Sequence, residues 1–242
     1  MSQNKVIGNG MIGKCLVGVN FGRPTLVLAS GVSDSQETRL EIFEREFSLV
    51  NHAMDSHPSL HVIYCSTCSL DSGIQTPYTK HKLAMEDLVL SKAATCHVFR
   101  LPQVVGRVHN RTLVSYIVDS ILKGRALTVQ ANATRNLLDV RDFARVASLM
   151  VRGNIGGCTP QNIASSTQVP VYNIVMEISK VLSLQPSIER VDAGYSQSID
   201  IQLLNDLLPV FDPLFDSEYW RSVVQYYVPL IATDIAATMV KR

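Results

Sequence analysis

The stretch Lys5-Val6-Ile7-Gly8-Asn9-Gly10-Met11-Ile12-Gly13-Lys14-Cys15-Leu16-Val17 reads as a short apolar strand, a G-x-G-x-x-G turn and the opening of a helix. Glycines at these positions permit a tight turn, close approach of backbone to a pyrophosphate and close packing of helix on strand, with phosphates held at the helix N-terminus. The spacing alone is common. Its place a few residues from Met1 is that of the first strand of a dinucleotide-binding fold, so its meaning depends on the segments downstream.

Two further stretches bear on it. His61-Val62-Ile63-Tyr64-Cys65-Ser66-Thr67 is strand-like and ends in two hydroxyls, and an open α/β sheet places its chemistry at the carboxyl ends of strands. Beyond it, Pro77-Tyr78-Thr79-Lys80-His81-Lys82-Leu83-Ala84-Met85-Glu86-Asp87 opens a helix with Tyr78 and Lys82 at i and i+4, hence on one face. An ammonium beside a phenol favours the ionised phenol and draws its pKa towards neutrality. Thr67 or Ser66 then holds a carbonyl oxygen while Tyr78 moves a proton. The bland alternative is an amphipathic helix with a solvated lysine and a half-buried tyrosine.

Taken in order, these segments resemble the extended short-chain dehydrogenase/reductase family, the sugar-nucleotide epimerases, dehydratases and reductases, from about Lys5 to about Leu208. Thr25-Leu-Val-Leu-Ala29-Ser30-Gly31-Val is similar to the family's fourth strand and its turn under the cofactor. Cys65-Ser66-Thr67 falls at the catalytic Ser/Thr, with Thr67 the better match, and Tyr78/Lys82 at the proton-relay pair. Phe99-Arg100-Leu-Pro102-Gln103-Val-Val-Gly106 is similar to strand six, which ends beside nicotinamide and substrate. Thr134-Arg135-Asn-Leu-Leu-Asp139-Val-Arg-Asp142-Phe-Ala resembles the stretch whose Arg reaches the substrate diphosphate.

The resemblance implies an α/β fold: a Rossmann-like doubly wound parallel sheet, shortened on the adenosine-binding side, with a small interleaved C-terminal substrate subdomain. Residues 1–108 and 126–165 form mainly the nucleotide-binding core of a single domain, and 109–125 and 166–242 mainly the substrate part. It implies NAD or NADP as cofactor. Gly8, Gly10, Met11, Ile12 and Gly13 meet the pyrophosphate, and Ala29, Ser30 and Gly31 border the ribose and nicotinamide. Cys65, Tyr78, Lys82 and Pro102 complete the cofactor contacts, with Lys82 lowering the Tyr78 pKa and holding the nicotinamide ribose. A nucleotide-linked sugar meets Thr67, Gln103 and Arg135, with Arg107 and Asn110 as weaker candidates. Gln103 otherwise caps a strand, and Arg135 otherwise pairs with Asp139 or Asp142.

The sequence departs from the family in two places. Between Gly13 and Thr25 only a short helix and a turn fit, where the family inserts a strand, a helix and another strand carrying the residue that reads the adenosine ribose. Arg23 is the charged candidate for a 2′-phosphate there. The connection from Thr67 to Tyr78 is also short, as in the compact reductases of capsule and O-antigen polysaccharide synthesis. No Asp-Glu pair follows Thr67, which makes dehydratase chemistry the least expected. Reduction of a keto-deoxysugar by hydride transfer is the leading expectation. An epimerase with bound NAD and a non-catalytic Rossmann binding protein are the alternatives.

Composition agrees with one globular enzyme. The chain has 242 residues, 46% hydrophobic and 18% charged, enough for an α/β core. A net charge of +1 gives no reason to expect nucleic acid or an anionic membrane as partner. Met1 to Lys5 lack a signal-peptide core and no stretch reaches the length of a membrane span, pointing to the cytoplasm. Cysteines 15, 65, 68, 96 and 158 show no disulfide spacing, and Cys65-Ser-Thr-Cys68 follows a strand rather than opening a helix, so reduced thiols are expected.

Elsewhere, Gln36 to Met54 has a helical period that places Leu40, Phe43, Phe47 and Val50 on the packed face and charges opposite. The helix from 78 to 92 offers Leu83, Met85, Leu88 and Val89. In the family these two helices pair about a two-fold axis, implying a homodimer. Helices are predicted over 112–123, 140–151 and 171–184, strands at 126–130 and 156–164, and a packed aromatic helix from Asp216 to Lys241.

Overall fold

The computed structural model describes residues 4–107, 112–196, 198–211 and 216–240. In chain order the elements begin β1 (Lys5–Ile7), α1 (Met11–Leu16), β2 (Thr25–Leu28), α2 (Leu40–Ser56), β3 (His61–Thr67), α3 (Pro77–Lys92), β4 (Cys96–Leu101) and β5 (Gln103–Val105). They continue with α4 (Leu113–Leu122), β6 (Leu127–Gln130), β7 (Thr134–Arg135), β8 (Leu137–Asp139), α5 (Val140–Gly153), β9 (Gln161–Asn162) and β10 (Val169–Pro170). The remainder are α6 (Val171–Leu182), β11 (Ile188–Val191), α7 (Gln202–Phe211) and α8 (Tyr219–Val240). Two compact units divide the chain. Met1–Leu101, Val140–Ile163 and Gln202–Leu207 form the first, and Pro102–Asp139, Ala164–Ile201 and Leu208–Arg242 the second.

The first unit is built on a five-stranded sheet in the order β1-β2-β3-β4-β9, all pairs parallel. Side chains alternate across it. Leu26 and Leu28, Val62 and Tyr64, and Cys96 and Val98 pack on Val50, Ala53 and Met54 of α2 and on Met85 and Val89 of α3. Phe99, out of phase with these, meets Phe143 of α5 edge-on, ring centroids 5.8 Å apart. Helices therefore cover both faces, as a parallel sheet requires. Among the described residues the sheet ends at β1, where a full dinucleotide fold would continue with strands in reversed order. The connector after α1 is pinned instead: Phe21 is fully buried, Asn4 Nδ2 donates to Val19 O (2.6 Å) and Ser148 Oγ to Asn20 O (2.6 Å).

Two helix faces depart from the periodicity reading. In α2 the buried residues are Phe43, Glu46, Val50, Ala53 and Met54, whereas Leu40 is 65% and Phe47 46% exposed. The inward face is turned to admit a charged residue. In α3 the same holds: Lys82 and Glu86 are buried beside Met85 and Val89, and Leu83 is 49% exposed. Partners from other segments decide both cases, and a hydrophobicity pattern along one helix does not contain them.

In the second unit β6 pairs with β11 and β5 with β8 in parallel, and β7 with β10 antiparallel. Helix α8 packs on α4 and α6. Its aromatic stripe is internal: the Asp139 amide donates to Tyr219 Oη (2.9 Å), and Tyr227 Oη donates to Asp139 Oδ1 (2.8 Å). Among the described residues no helix is long and apolar enough to cross a membrane.

At the amino ends of β3 and β4 lies a buried histidine pair. The Ile155 carbonyl accepts from His97 Nε2 (2.9 Å), so His97 Nδ1 accepts from His61 Nε2 (2.9 Å), and His61 Nδ1 accepts from the Thr95 hydroxyl (3.1 Å). Burial first, then the charges of His97 and Arg23, hold His61 down at about 4 against an ordinary 6.5, and burial lowers His97 too. The unfolded chain therefore binds more protons on acidification. This contribution to stability is complete above about pH 6.5 and is lost as pH falls through about 4. Urea unfolding midpoints are expected to fall across that window, and the fall to shrink in His61→Gln. An unchanged slope in the variant would remove the pair as its source.

Candidate active site

The glycine turn separates two structural demands from one opening. Gly8 has φ 124°, and a Cβ there would lie 2.4 Å from the Ala29 carbonyl oxygen; one on Gly13 would lie 2.4 Å from the Gly8 carbonyl oxygen. These two glycines are required for β1, β2 and α1 to approach each other. Gly10 has φ −71°, and a Cβ there would meet nothing within 4 Å. The space before it is open. Met11 and Ile12 begin α1 and are half-buried. At the end of β2 the Ala29 amide donates to Ile7 O (2.8 Å), and the buried Ser30 Oγ has no hydrogen-bond partner among the described residues.

The two hydroxyls that end β3 diverge. Ser66 Oγ donates to Glu86 Oε1 (2.5 Å), and Glu86 is gripped by Arg100 Nε (2.9 Å) and Nη2 (2.7 Å), with Asp71 on the same guanidinium. Ser66 is thus occupied by an internal ion pair. Thr67 Oγ1 accepts from the Ser69 amide (3.1 Å), and its side chain lies close enough to the Tyr78 phenol to favour the phenolate slightly. The structure brings Thr67 and Tyr78 together because α3 is capped just before Tyr78. The Thr76 hydroxyl accepts from the Thr79 amide, the Thr79 hydroxyl answers the Thr76 amide, and Pro77 fills the first turn. Tyr78 is buried against Val32 and Phe43.

Lys82 lies on the same helix face, Nζ 6.0 Å from the Tyr78 ring centroid, but its charge is met elsewhere. Its Nζ donates to Glu46 Oε1 (2.9 Å) and to Tyr64 Oη (3.1 Å). Glu46 also accepts from Tyr64 Oη (2.8 Å), His81 Nε2 (2.9 Å) and the Val32 amide (2.7 Å). Burial raises the Glu46 pKa, but His81, Lys82 and the Val32 amide outweigh it and hold the carboxyl at about 2. The lowered phenol expected from the Tyr/Lys pair is not what the structure holds. Burial pushes Tyr78 up to about 12; the nearby Thr67 side chain opposes the rise, and the Glu46 and Asp34 charges add to it. Burial also pushes Cys65 up to about 12 and Cys68 higher, away from the thiolates that redox or zinc chemistry uses.

Glu46, Tyr64 and His81 escape the sequence reading. In sequence Glu46 is one of several charges on a helix face that reads as solvated, and no local spacing marks it. Gly31 carries a second signal: a Cβ there would lie 2.6 Å from Lys82 Nζ and 2.8 Å from Glu46 Oε1. Arg23 is misplaced as a reader of the cofactor. It precedes β2 and acts on the His61 and His97 pair, at the amino ends of the strands. The glycine turn follows the carboxyl end of the parallel neighbour β1, about 13 Å away along a four-residue strand.

The remaining substrate candidates lie in the second unit. Pro102 separates β4 from β5, and the Gln103 amide donates to Asn136 O (3.1 Å). Arg135 is half-buried, donates from Nη1 to Thr134 O (2.7 Å) and has no carboxylate partner among the described residues. Arg107 grips Asp234 of α8 with two hydrogen bonds of 2.7 and 2.6 Å. Asn110 lies outside the described residues.

An open glycine turn, an orphaned hydroxyl at Ser30 and a buried Thr/Tyr pair, all at strand carboxyl ends, suit a nicotinamide dinucleotide. The class defined is a Rossmann-fold enzyme of the short-chain dehydrogenase/reductase type. Residues 25–163 match the NAD dependent epimerase/dehydratase family, and the chain belongs to that family of NAD-dependent enzymes. Among solved structures it is similar to RMD from Pseudomonas aeruginosa complexed with NADPH, at TM-score 0.74 and 13% identity over 98% of this chain and 100% of that one. It is also similar to dTDP-glucose 4,6-dehydratase from Bacillus anthracis in complex with NAD, at TM-score 0.68 and 14% identity, covering 88% and 76%. A dTDP-4-dehydrorhamnose reductase from Clostridium acetobutylicum gives TM-score 0.67 and 14% identity, covering 87% and 81%. At these identities the likeness is one of fold. No curated protein matches the chain.

The glycines are separable by experiment. Gly8→Ala is expected to cost about 2 kcal/mol or more in urea unfolding, through strain at positive φ and backbone contact. Gly10→Ala is expected to stay within about 1 kcal/mol of the parent. Equal losses would contradict the open space before Gly10.

Proposed function

We propose that the chain reduces a carbonyl on a nucleotide-linked sugar, a keto-deoxysugar being the leading substrate class, with NADH or NADPH. The observation that carries this reading is the buried Tyr78 phenol, held protonated by burial and set beside the buried Thr67 at the end of β3. A reduced nicotinamide, when bound, would supply the hydride for the carbonyl carbon and be oxidised in return. Thr67 holds the carbonyl oxygen, Tyr78 gives it a proton, and solvent restores that proton. Gly8, Gly10, Met11, Ile12 and Gly13 admit the pyrophosphate, Ser30 offers its unpaired hydroxyl to a ribose, and Gly31, Cys65 and Lys82 border the nicotinamide half. Pro102 completes the cofactor contacts. Arg135 takes the substrate diphosphate as a bidentate partner, and Gln103 takes sugar oxygens.

Several features support the rest of the reading. The structural neighbours include a reductase and proteins holding NADPH or NAD. Five free cysteines fit a reducing compartment, in keeping with the cytoplasm. Leu40, Phe47 and Leu49 on α2 and Leu83 on α3 are exposed apolar side chains, which supports a homodimer through these helices.

The test is loss of reduced-nicotinamide absorbance on adding a nucleotide-linked keto sugar, with the two cofactors compared by calorimetric titration. Net, stoichiometric oxidation is expected, and Tyr78→Phe should lower kcat about 100-fold or more. Isomerisation of the sugar without net oxidation would favour an epimerase, and binding of neither cofactor would favour a non-catalytic protein. Arg135→Ala is expected to raise KM about tenfold or more with kcat little changed.

A further inference from the structure

The buried cluster around Glu46 stands against the proton donor itself. Glu46 and Lys82 are 0% and 2% exposed, 2.9 Å apart, and enclosed by segments from α2, β3, α3 and the loop after β2. The groups facing the pair are Tyr64 and Cys65 of β3, His81 of α3 and the Val32 amide. Those facing the phenol are Thr67, Glu46, Asp34 and Cys68, with Lys82 6.0 Å from the ring centroid.

We propose that Glu46 is a positioning residue that neutralises Lys82 and keeps Tyr78 protonated, so that the resting site presents the phenol in the acid form that carbonyl reduction uses. The inference deepens the reductase reading and rests on it for its consequence. Carbonyl reduction uses the phenol as an acid. The reverse step uses it as a base: the alcohol carbon gives a hydride to an oxidised nicotinamide, and the alcohol proton passes to the phenolate. An epimerase that oxidises its sugar first begins with that step. With a free ammonium at its side a phenol ionises far more readily; here the ammonium donates to the Glu46 carboxylate and to the Tyr64 hydroxyl, which themselves hydrogen-bond each other. Burial is the larger cause of the raised Tyr78 pKa, and the Glu46 charge adds to it.

The experiment follows the Cζ carbon of labelled tyrosines by NMR through an alkaline titration of the full chain, the Tyr78 signal being assigned with Tyr78→Phe. In the unaltered protein Tyr78 is expected not to ionise below about pH 10, and a phenolate near neutrality overturns the proposal. Glu46→Gln is expected to lower the Tyr78 titration by about one pH unit or more; no downward movement overturns it. The double variant Glu46→Leu/Lys82→Met, which removes the charges together and suits folding better than a lone buried charge, is expected to leave the titration within about half a pH unit. A rise of about one pH unit in that variant would show that Lys82 already acts on the phenol, and would equally overturn the proposal. In Glu46→Gln, the pH profile of kcat/KM for oxidation of a nucleotide-linked sugar alcohol should move to lower pH by as many units as the Tyr78 titration falls. The NMR arm needs neither cofactor nor substrate. A chain with the expected titrations that binds neither NADH nor NADPH keeps the counter-ion and loses the reductase reading; the opposite pattern does the reverse.

Discussion

Glu46 has no access to water, so its charge must be answered by partners whose own positions are thereby fixed. Val32 brings the loop after β2, Tyr64 brings β3, and His81 and Lys82 bring α3, all to one carboxylate on α2. A buried pair of this kind gives little net stability, but removing one partner costs about 3–5 kcal/mol, because the other charge stays buried. The segments carrying Ser30, Gly31, Thr67 and Tyr78 are therefore held in register before any ligand arrives. Gly31 expresses the same constraint in the backbone, since a side chain at that point collides with the Lys82 and Glu46 head groups.

A second buried carboxylate selects between the two hydroxyls at the end of β3. Glu86 and Arg100 form a two-point ion pair, and Ser66 gives Glu86 a third hydrogen bond. Successive strand residues point to opposite sides, so the alternation that gives Ser66 to Glu86 turns Thr67 elsewhere, towards the phenol. The position in sequence makes the two hydroxyls near equivalents; the ion pair does not.

The elements are largely legible in the sequence because local pattern determines them. The glycine turn, the apolar run into Ser66 and Thr67, and the capped start of α3 each carry their signal within a few residues. The shared face of Tyr78 and Lys82 is legible too, from a spacing of four. Its electrostatic consequence is not, because the sign is set by Glu46, 36 residues before Lys82. The inward face of α2 is hidden for the same reason: a charged residue belongs inside only when its partners are known. Arg23 misleads because distance after the glycines indicates the cofactor ribose only when the usual strands intervene. Here the chain goes directly from α1 to the amino end of β2.

The absent half of the dinucleotide fold bears on what the proposed enzyme can do with its cofactor. Among the described residues the sheet stops at β1, and the connector from Val17 to Pro24 places its one arginine at the far end of the strands. Under the proposed reading, binding then draws on the pyrophosphate turn and the nicotinamide half, with less from the adenosine ribose. A catalyst that regenerates its cofactor within each turnover gains from holding it tightly. One that exchanges oxidised for reduced cofactor at every turnover gains from letting go, and needs only a KM near the working concentration. A shortened adenosine side and a phenol held as an acid therefore favour the same direction of chemistry, through two physically independent features of one small sheet.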